Sequence, residues 1–114
     1  MNPQGHLAKA KEIQQSLDRL LPDRTGVNVA AITELAFGIA HHLIAVGAAS
    51  RFGQYLDTHE GITRLLRQNR ASEIAETFER LDQLRVGRWY GGKGNGKVVE
   101  ECLVLLKQIE NWSS

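Results

Sequence analysis

The segment from Arg85 to Lys97 contains the residues whose types and spacing best suit a chemical role. It holds four basic and two aromatic side chains and no acidic one. These six residues are Arg85, Arg88, Trp89, Tyr90, Lys93 and Lys97. Basic groups pair with phosphate oxygens and aromatic rings stack on bases. Because the net charge of the whole chain is only +1, the segment predicts a local site for an anion such as RNA or a nucleotide.

The same segment is rich in glycine and nearly fits a phosphate-binding loop. Five of the eleven glycines lie between Gly87 and Gly96, and residues 91–97 match the spacing G-x-x-x-x-G-K. Val98 stands where a Ser or Thr would hold Mg²⁺, and the motif follows a predicted helix instead of a buried strand. We therefore expect no phosphate-hydrolysing P-loop. A glycine-rich loop that opens onto the start of a helix can still attract phosphate oxygens.

Arg85 also lies on an apolar stripe of a predicted helix. The residues at positions i, i+4, i+7 and i+11 of one helical face are Ile74, Phe78, Leu81 and Arg85. An unpaired charge on a packed face is costly, so this spacing predicts that Arg85 faces a cleft or an interface. The alternative is that the helix ends here, so that the aliphatic stem of Arg85 covers apolar surface and its charge complements the helix C-terminus.

The four histidines, His6, His41, His42 and His59, do not predict a metal site. His41 and His42 are adjacent, so on a helix they point about 100° apart. The chain has no H-x-x-x-H or E-x-x-H pair. Glu34 and His41 share a helical face two turns apart, which is a weak signal. We expect neither a metal nor another cofactor.

The apolar residues recur at helical spacing in five places, and no alternating strand pattern of any length occurs. The five predicted helices are residues 6–21, 28–48, 58–69, 72–87 and 97–112. Pro22 is expected to stop the first helix, and Thr58 and Ser72 are candidate caps of the third and fourth. The pattern predicts an all-α, antiparallel bundle of four to five helices, in one domain over residues 1–114.

The second predicted helix has a stripe of small residues beside its apolar stripe. The members of this small-residue stripe are Ala31, Gly38, His42, Ala45 and Ala49. Small side chains at this spacing let another backbone approach closely. Two interpretations remain open: a packing face inside one bundle, or a self-association face that makes a homodimer.

The cysteine content and the apolar runs indicate a soluble, cytoplasmic protein. Cys102 is the single cysteine, so no disulfide can form within the chain. The first residues lack a charged-then-apolar signal pattern. The longest apolar stretch, residues 29–49, contains Glu34, His41 and His42, which makes it a poor membrane span. We expect no membrane partner.

From Ile32 to Trp112 the order of features resembles the HEPN superfamily, in a branch of archaeal and bacterial helical proteins. The matching pieces are residues 36–43 on the first long helix, the helix start Thr58-His59-Glu60-Gly61, Leu84-Arg85 with Tyr90 five residues later, and a last amphipathic helix. The resemblance implies an antiparallel helical bundle that forms homodimers. It also implies a partner, a minimal nucleotidyltransferase, in a toxin–antitoxin pair.

Active members of this family are metal-independent ribonucleases with the motif R-x(4–6)-H. Arg85 matches the motif arginine, but Tyr90 stands where the R-x4-H form has its histidine, and no histidine follows Arg85. A tyrosine of ordinary pKa near 10 is a poor base at pH 7. His59 could supply the imidazole, or could serve only at its helix start. The resemblance thus implies Arg85, Tyr90 and His59 as the candidate catalytic residues.

The residues and the HEPN resemblance together imply three candidate functions. The leading expectation is a non-enzymatic subunit that binds a nucleotidyltransferase, RNA or a nucleotide through the Arg85–Lys97 segment. The second is a metal-independent ribonuclease toxin with an altered site. The third is a helical scaffold whose basic loop is merely solvated.

Overall fold

The regular structure of the described residues is entirely α-helical, as the sequence predicts. The computed structural model describes residues 1–55, 58–89 and 96–114, without the side chains of His59, Arg88 and Trp89. Five helices occur in these residues: α1 (Pro3–Leu20), α2 (Val29–Phe52), α3 (His59–Gln68), α4 (Ser72–Trp89) and α5 (Gly96–Ser113).

Helix α1 begins at Pro3, earlier than the predicted start at residue 6. The side-chain oxygen of Asn2 accepts a 2.7 Å hydrogen bond from the Gly5 amide, and Pro3 occupies the first helical position, where its missing N–H costs nothing. The apolar periodicity starts only at Leu7, so a prediction from periodicity missed this cap. The helix ends at Leu20, two residues before Pro22, where a proline stop was expected.

Helix α2 continues through Gly47 to Phe52, beyond the predicted end at residue 48. Gly47 lies against α5, and a β-carbon at this position would lie 2.4 Å from Cζ3 of Trp112. The glycine therefore permits close packing of two helices instead of ending one. The end is set by Gly53, whose φ of 71° is in the left-handed region and whose amide donates to the Ala49 carbonyl.

Helices α3 and α4 follow the predicted caps in part. Thr58 caps α3, because its hydroxyl accepts a 3.1 Å hydrogen bond from the Gly61 amide. Ser72 is the first residue of α4 instead of its cap, and the Ala71 carbonyl accepts from Ile74 and Ala75. Helix α4 continues past Gly87 to Trp89, so the predicted end at residue 87 is two residues early.

Helix α2 is the central element, and it packs against each of the other four helices. Its fully buried residues include Ile32, Ile39 and Ile44. They meet large side chains of all the other helices, namely Leu17, Leu66, Phe78, Leu81 and Ile109. Each such side chain contributes roughly 1.5–3 kcal/mol when it is buried. The core therefore fixes α2 as the surface on which the candidate site is built.

The apolar character of α2 has a second consequence. By length and composition alone, this helix is long and apolar enough to cross a membrane. The core helix of a helical domain meets the same criterion, and many residues of α2 are buried by the other helices. The criterion is therefore weak evidence for a membrane span.

Candidate functional site

Arg85 lies where α4 packs on α2, and its guanidinium contacts two carboxylates. Its Nε donates a 3.1 Å hydrogen bond to Oδ1 of Asp82, one turn earlier on α4, and Nη2 donates to the same oxygen. Across the interface, Nη1 lies 3.6 Å from Oε2 of Glu34 on α2. The Arg85 side chain is 25% exposed. Its charge is thus directed at the interface between two helices and is paired there.

An aromatic pair lies beneath the Arg85 guanidinium. Its Cζ is 4.4 Å from the ring centroid of Phe37, a cation–π distance. The Phe37 ring stacks on Phe78, with 4.8 Å between centroids and 14° between planes. Phe78 is fully buried. The arginine is therefore connected to the core through two stacked rings.

The protonation of Arg85 follows from these contacts. Partial burial lowers the pKa of its guanidinium, but the hydrogen bond and charge of Asp82 and the charge of Glu34 outweigh the burial, so the pKa lies above its ordinary value. Among the described residues, the positive charge of Arg85 thus faces the negative charges of Asp82 and Glu34. A phosphate that approached this arginine would compete with two carboxylates for its donors.

The rest of the Arg85–Lys97 segment is described only at its ends. Arg88 and Trp89 belong to the last turn of α4 by their backbone, and Tyr90 and Lys93 lie outside the described residues. Lys97 is exposed on the first turn of α5, which has no acidic residue. Among the predicted binding residues, the side chains with a described position are thus those of Arg85 and Lys97.

An ion pair links the two helices that flank the segment. Arg80 of α4 meets Glu101 of α5 through two parallel hydrogen bonds, with Nε to Oε2 at 2.6 Å and Nη2 to Oε1 at 3.0 Å. The hydrogen bond from Arg80 holds the pKa of Glu101 below its ordinary value. Both side chains are more than a third exposed, so the pair contributes about 0.2–1 kcal/mol at most.

The candidate imidazole of His59 is not placed. His59 is the first residue of α3, and its side chain is outside the described part of the chain. Its proximity to Arg85 or Tyr90 therefore stays a prediction.

Sequence reasoning missed a cluster of three histidines. His6 of α1 is 2% exposed, and its Nδ1 lies 2.8 Å from Nδ1 of His42 on α2. The His41 ring is 5.2 Å from that of His42, and the Tyr55 ring meets His6 edge-on at 5.4 Å. A sequence signal for His6 existed, because His6, Ala10, Ile13 and Leu17 share one helical face at i, i+4, i+7 and i+11.

The histidine cluster does not form a recognisable metal centre. Within residues 1–55, 58–89 and 96–114, no group of three or more His, Cys, Asp or Glu side chains is arranged to hold a metal ion.

Cys102 is buried in the core, and burial raises the pKa of its thiol to about 12, so the thiol stays protonated near neutral pH.

The small-residue stripe of α2 is used for packing inside the chain at three of its five positions. A β-carbon on Gly38 would lie 3.6 Å from Cδ1 of Ile13 on α1, and His42 contacts His6. Ala45 is buried, with 1% exposure. These three positions therefore fit the packing interpretation. Ala31 is exposed and Ala49 is half-buried, so these two residues remain accessible for a homodimer contact through this stripe.

A cavity lies at the opposite end of α4 from Arg85. Its volume is about 850 Å³, and it is lined by the end of α2, the α3–α4 turn and Trp112 of α5. Arg51 donates two hydrogen bonds to the Trp112 carbonyl, at 3.0 and 2.7 Å, and Asn69 donates to the Leu65 carbonyl. These polar groups satisfy helix ends, and about 20 Å of α4 separates the cavity from Arg85.

Comparison of the chain with protein-family models, with curated protein sequences and with solved structures finds no match. The resemblance to HEPN proteins consequently rests on the residues quoted for it.

Proposed function

We propose that this chain is a non-enzymatic, HEPN-like subunit that binds an anionic ligand, single-stranded RNA or a nucleotide, through the Arg85–Lys97 segment. In this proposal the basic groups after Arg85 contact phosphate, and Arg85 is a positioning residue that holds the end of α4 on α2. The main observation in support of a non-enzymatic role is that Arg85 is paired with Asp82 and Glu34.

The pairing of Arg85 favours binding over ribonuclease turnover. An arginine that stabilises a developing phosphorane must present its donors to the reacting phosphate. In this chain, donors of Arg85 point to Asp82 and Glu34, so a phosphate would compete with two carboxylates. The sequence also places Tyr90, and no histidine, at the expected acid–base position. Loss of an acid–base group typically lowers a rate by about 10²–10⁴.

Contacts between helices support an antiparallel, HEPN-like arrangement. On α1 and α2, His6 meets His42 while Ile13, later on α1, meets Gly38, earlier on α2. On α4 and α5, the order is likewise reversed, because Arg80 meets Glu101 and Thr77 meets Gln108. The proposal includes a cytoplasmic homodimer and a minimal nucleotidyltransferase partner in a toxin–antitoxin pair.

A salt titration of RNA binding tests the proposal. We expect the wild type to bind single-stranded RNA with a salt-dependent affinity, and Lys93→Ala and Lys97→Ala to reduce the slope of log K against log[salt] by about 0.7 each. The matched control is Lys107→Ala, because Lys107 is exposed on the same helix as Lys97 but is paired with Glu110. Equal slopes in all four proteins would contradict an RNA site in this segment.

A homodimer is tested by light scattering at micromolar concentration, which should give about twice 12.7 kDa. A monomeric mass across a concentration series would remove the dimer from the proposal. A neighbouring gene that encodes a short nucleotidyltransferase would support the partner, and co-expression followed by co-purification of the two proteins would test it directly.

A metal-independent ribonuclease is the second candidate, and the position of His41 favours it. His41 lies one turn after Phe37 on α2, and its ring is 6.5 Å from that of Phe78. An imidazole is therefore present beside the aromatic pair that supports Arg85. Metal-free incubation with single-stranded RNA decides between the candidates. Cleavage that is lost in Arg85→Ala and in one of His41→Ala, His59→Ala or Tyr90→Ala would replace the binding proposal with the ribonuclease.

A further inference from the structure

The contact between His6 and His42 joins the start of α1 to the middle of α2. The two Nδ1 atoms are 2.8 Å apart, which is a hydrogen-bond distance. A neutral imidazole has one nitrogen that donates and one that accepts. One of the two facing Nδ1 atoms therefore carries a proton and the other presents a lone pair. Which of them carries it depends on the tautomers.

The geometry limits the number of protons that the pair can hold. A charged imidazole carries a proton on both ring nitrogens. If His6 and His42 were both charged, two N–H groups would point at each other across 2.8 Å, and two positive charges would lie at a site where His6 is buried. The closed contact thus accommodates one charged ring at most. A separated pair accommodates two.

Other titratable groups surround the pair. On α2, the His41 ring lies 6.5 Å from His6 and 5.2 Å from His42. From the connection after α2, the Tyr55 ring meets His6, and the Tyr55 hydroxyl donates to the Met1 carbonyl. Asp57 and the His59 side chain, the next titratable groups along the chain, lie outside the described part. Among the described groups, His41 and Tyr55 leave the conflict between two protonated, facing Nδ1 atoms in place.

The first turns of α1 are the part that this contact holds. His6 and Ala10 are the buried residues of the N-terminal half of α1, while Leu17 is buried in the core further along. Separation of His6 from His42 removes one polar contact of the first turns and leaves the apolar attachment at Leu17. The part that opens is therefore the start of α1, and not the whole helix.

We propose that the His6–His42 pair is a proton-dependent latch, which holds the first turns of α1 on α2 near neutral pH and releases them in acid. The open state binds one more proton than the closed state. The opening equilibrium constant therefore rises as the pH falls, by up to about tenfold per pH unit while the second proton is taken up. Imidazoles in general take up protons between about pH 5 and 8, so this range is the one in which the release is to be tested.

Amide hydrogen exchange of α1 between pH 7.5 and 5, corrected for the intrinsic exchange rates, measures the opening. In the wild type, we expect the amides of residues 6–10 to lose protection by at least tenfold over this range, while those around Leu17 keep it. In His42→Asn the pH dependence should disappear, because the amide can bond to His6 but does not titrate. His6→Asn provides the same test if His42→Asn does not fold.

His41→Asn is the matched control, since it removes a neighbouring imidazole that is not hydrogen-bonded to His6 Nδ1 in the described contacts. It should keep the pH-dependent release. Retention of the full pH dependence in both His42→Asn and His6→Asn would overturn the latch. Addition of zinc at pH 6 gives a second test. If zinc restored the protection of residues 6–10 in the wild type but not in His42→Asn, the pair would be a metal site and the latch would be overturned.

Discussion

The contacts of Arg85 and His6 follow the same sequence pattern and have different chemistry. Each residue completes an apolar helical face with the spacing i, i+4, i+7 and i+11, and each meets α2. Arg85 meets carboxylates and an aromatic ring, so its charge is paired and permanent. His6 meets a second imidazole, so its contact depends on a single proton.

The difference shows that a polar residue on an apolar stripe specifies an interface but not its chemistry. The partner on the other helix decides whether the contact is a fixed ion pair or a proton-dependent hydrogen bond. For Arg85 the pKa lies above its ordinary value, so its contribution is lost only as the pH rises past that ordinary value. For His6 and His42 the facing Nδ1 atoms limit the number of protons that the closed contact holds. One contact is a constant support, whereas the other responds to conditions.

The largest effect should come from Phe78→Ala, because Phe78 is a fully buried ring beneath the Arg85 contact. It stacks on Phe37 beneath Arg85 and lies 6.5 Å from the His41 ring. Removal of this fully buried ring should lower the free energy of unfolding by about 3–5 kcal/mol, as measured by urea denaturation. Val86→Ala, an exposed position on the same helix, should lose less than about 0.5 kcal/mol. Similar losses in the two variants would contradict the role of buried Phe78 as the main support of the Arg85 contact.

Arg85→Ala should lower the free energy of unfolding by about 1–2 kcal/mol. The loss leaves Asp82 and Glu34 without this counter-charge, and it is smaller than for a fully buried pair because Arg85 is 25% exposed. Arg85→Lys keeps the charge but not the fork of donors, so it should recover part of the loss. If Arg85→Ala abolished RNA binding without any loss of stability, Arg85 would be a ligand contact and not a positioning residue.

Cys102 extends the comparison to a buried group that loses a proton. Burial raises its pKa from 9.0 to about 12. Its contribution is fully present below pH 9, and it is lost as the pH rises towards 12, because the unfolded thiol ionises first. At pH 10 this should lower the free energy of unfolding by about 1.4 kcal/mol relative to pH 8. Denaturation of Cys102→Ala at both pH values should lack this part of the decrease; an equal decrease would contradict it.

The smallest effect should come from Arg80→Ala, which breaks the exposed pair with Glu101. We expect a decrease of about 0.2–1 kcal/mol in the free energy of unfolding, and a smaller decrease at high salt because exposed charges are screened. Glu101→Gln should behave similarly. Because the pKa of Glu101 is lowered in the folded protein, the stabilisation from this ion pair is present above pH 4.5, the ordinary pKa. It is lost as the pH falls through the pKa of Glu101 in the folded protein. If Arg80→Ala lowered the free energy of unfolding as much as Arg85→Ala, the difference in exposure would not explain the difference in strength between the two ion pairs.

The all-helical class was predictable because it depends on local periodicity. The apolar spacing of each helix is read from neighbouring residues, and so is a cap such as Thr58 or a stop such as Pro22. The helix ends were less predictable where glycine was involved. The apolar spacing predicts that the second helix ends at residue 48, but Gly47 permits the close approach of Trp112, 65 residues later in the chain, and α2 continues to Phe52.

The sequence by itself determined which residues face inward, including the unusual place of Arg85 on an apolar stripe. Only the tertiary structure decided what these residues meet: Glu34 and Phe37 for Arg85, and His42 for His6. The physical reason is that the direction of a side chain on a helix follows from a period of 3.6 residues, whereas its partner depends on how α1 and α4 pack on α2. That packing is set by the whole core, and no local window of sequence contains it.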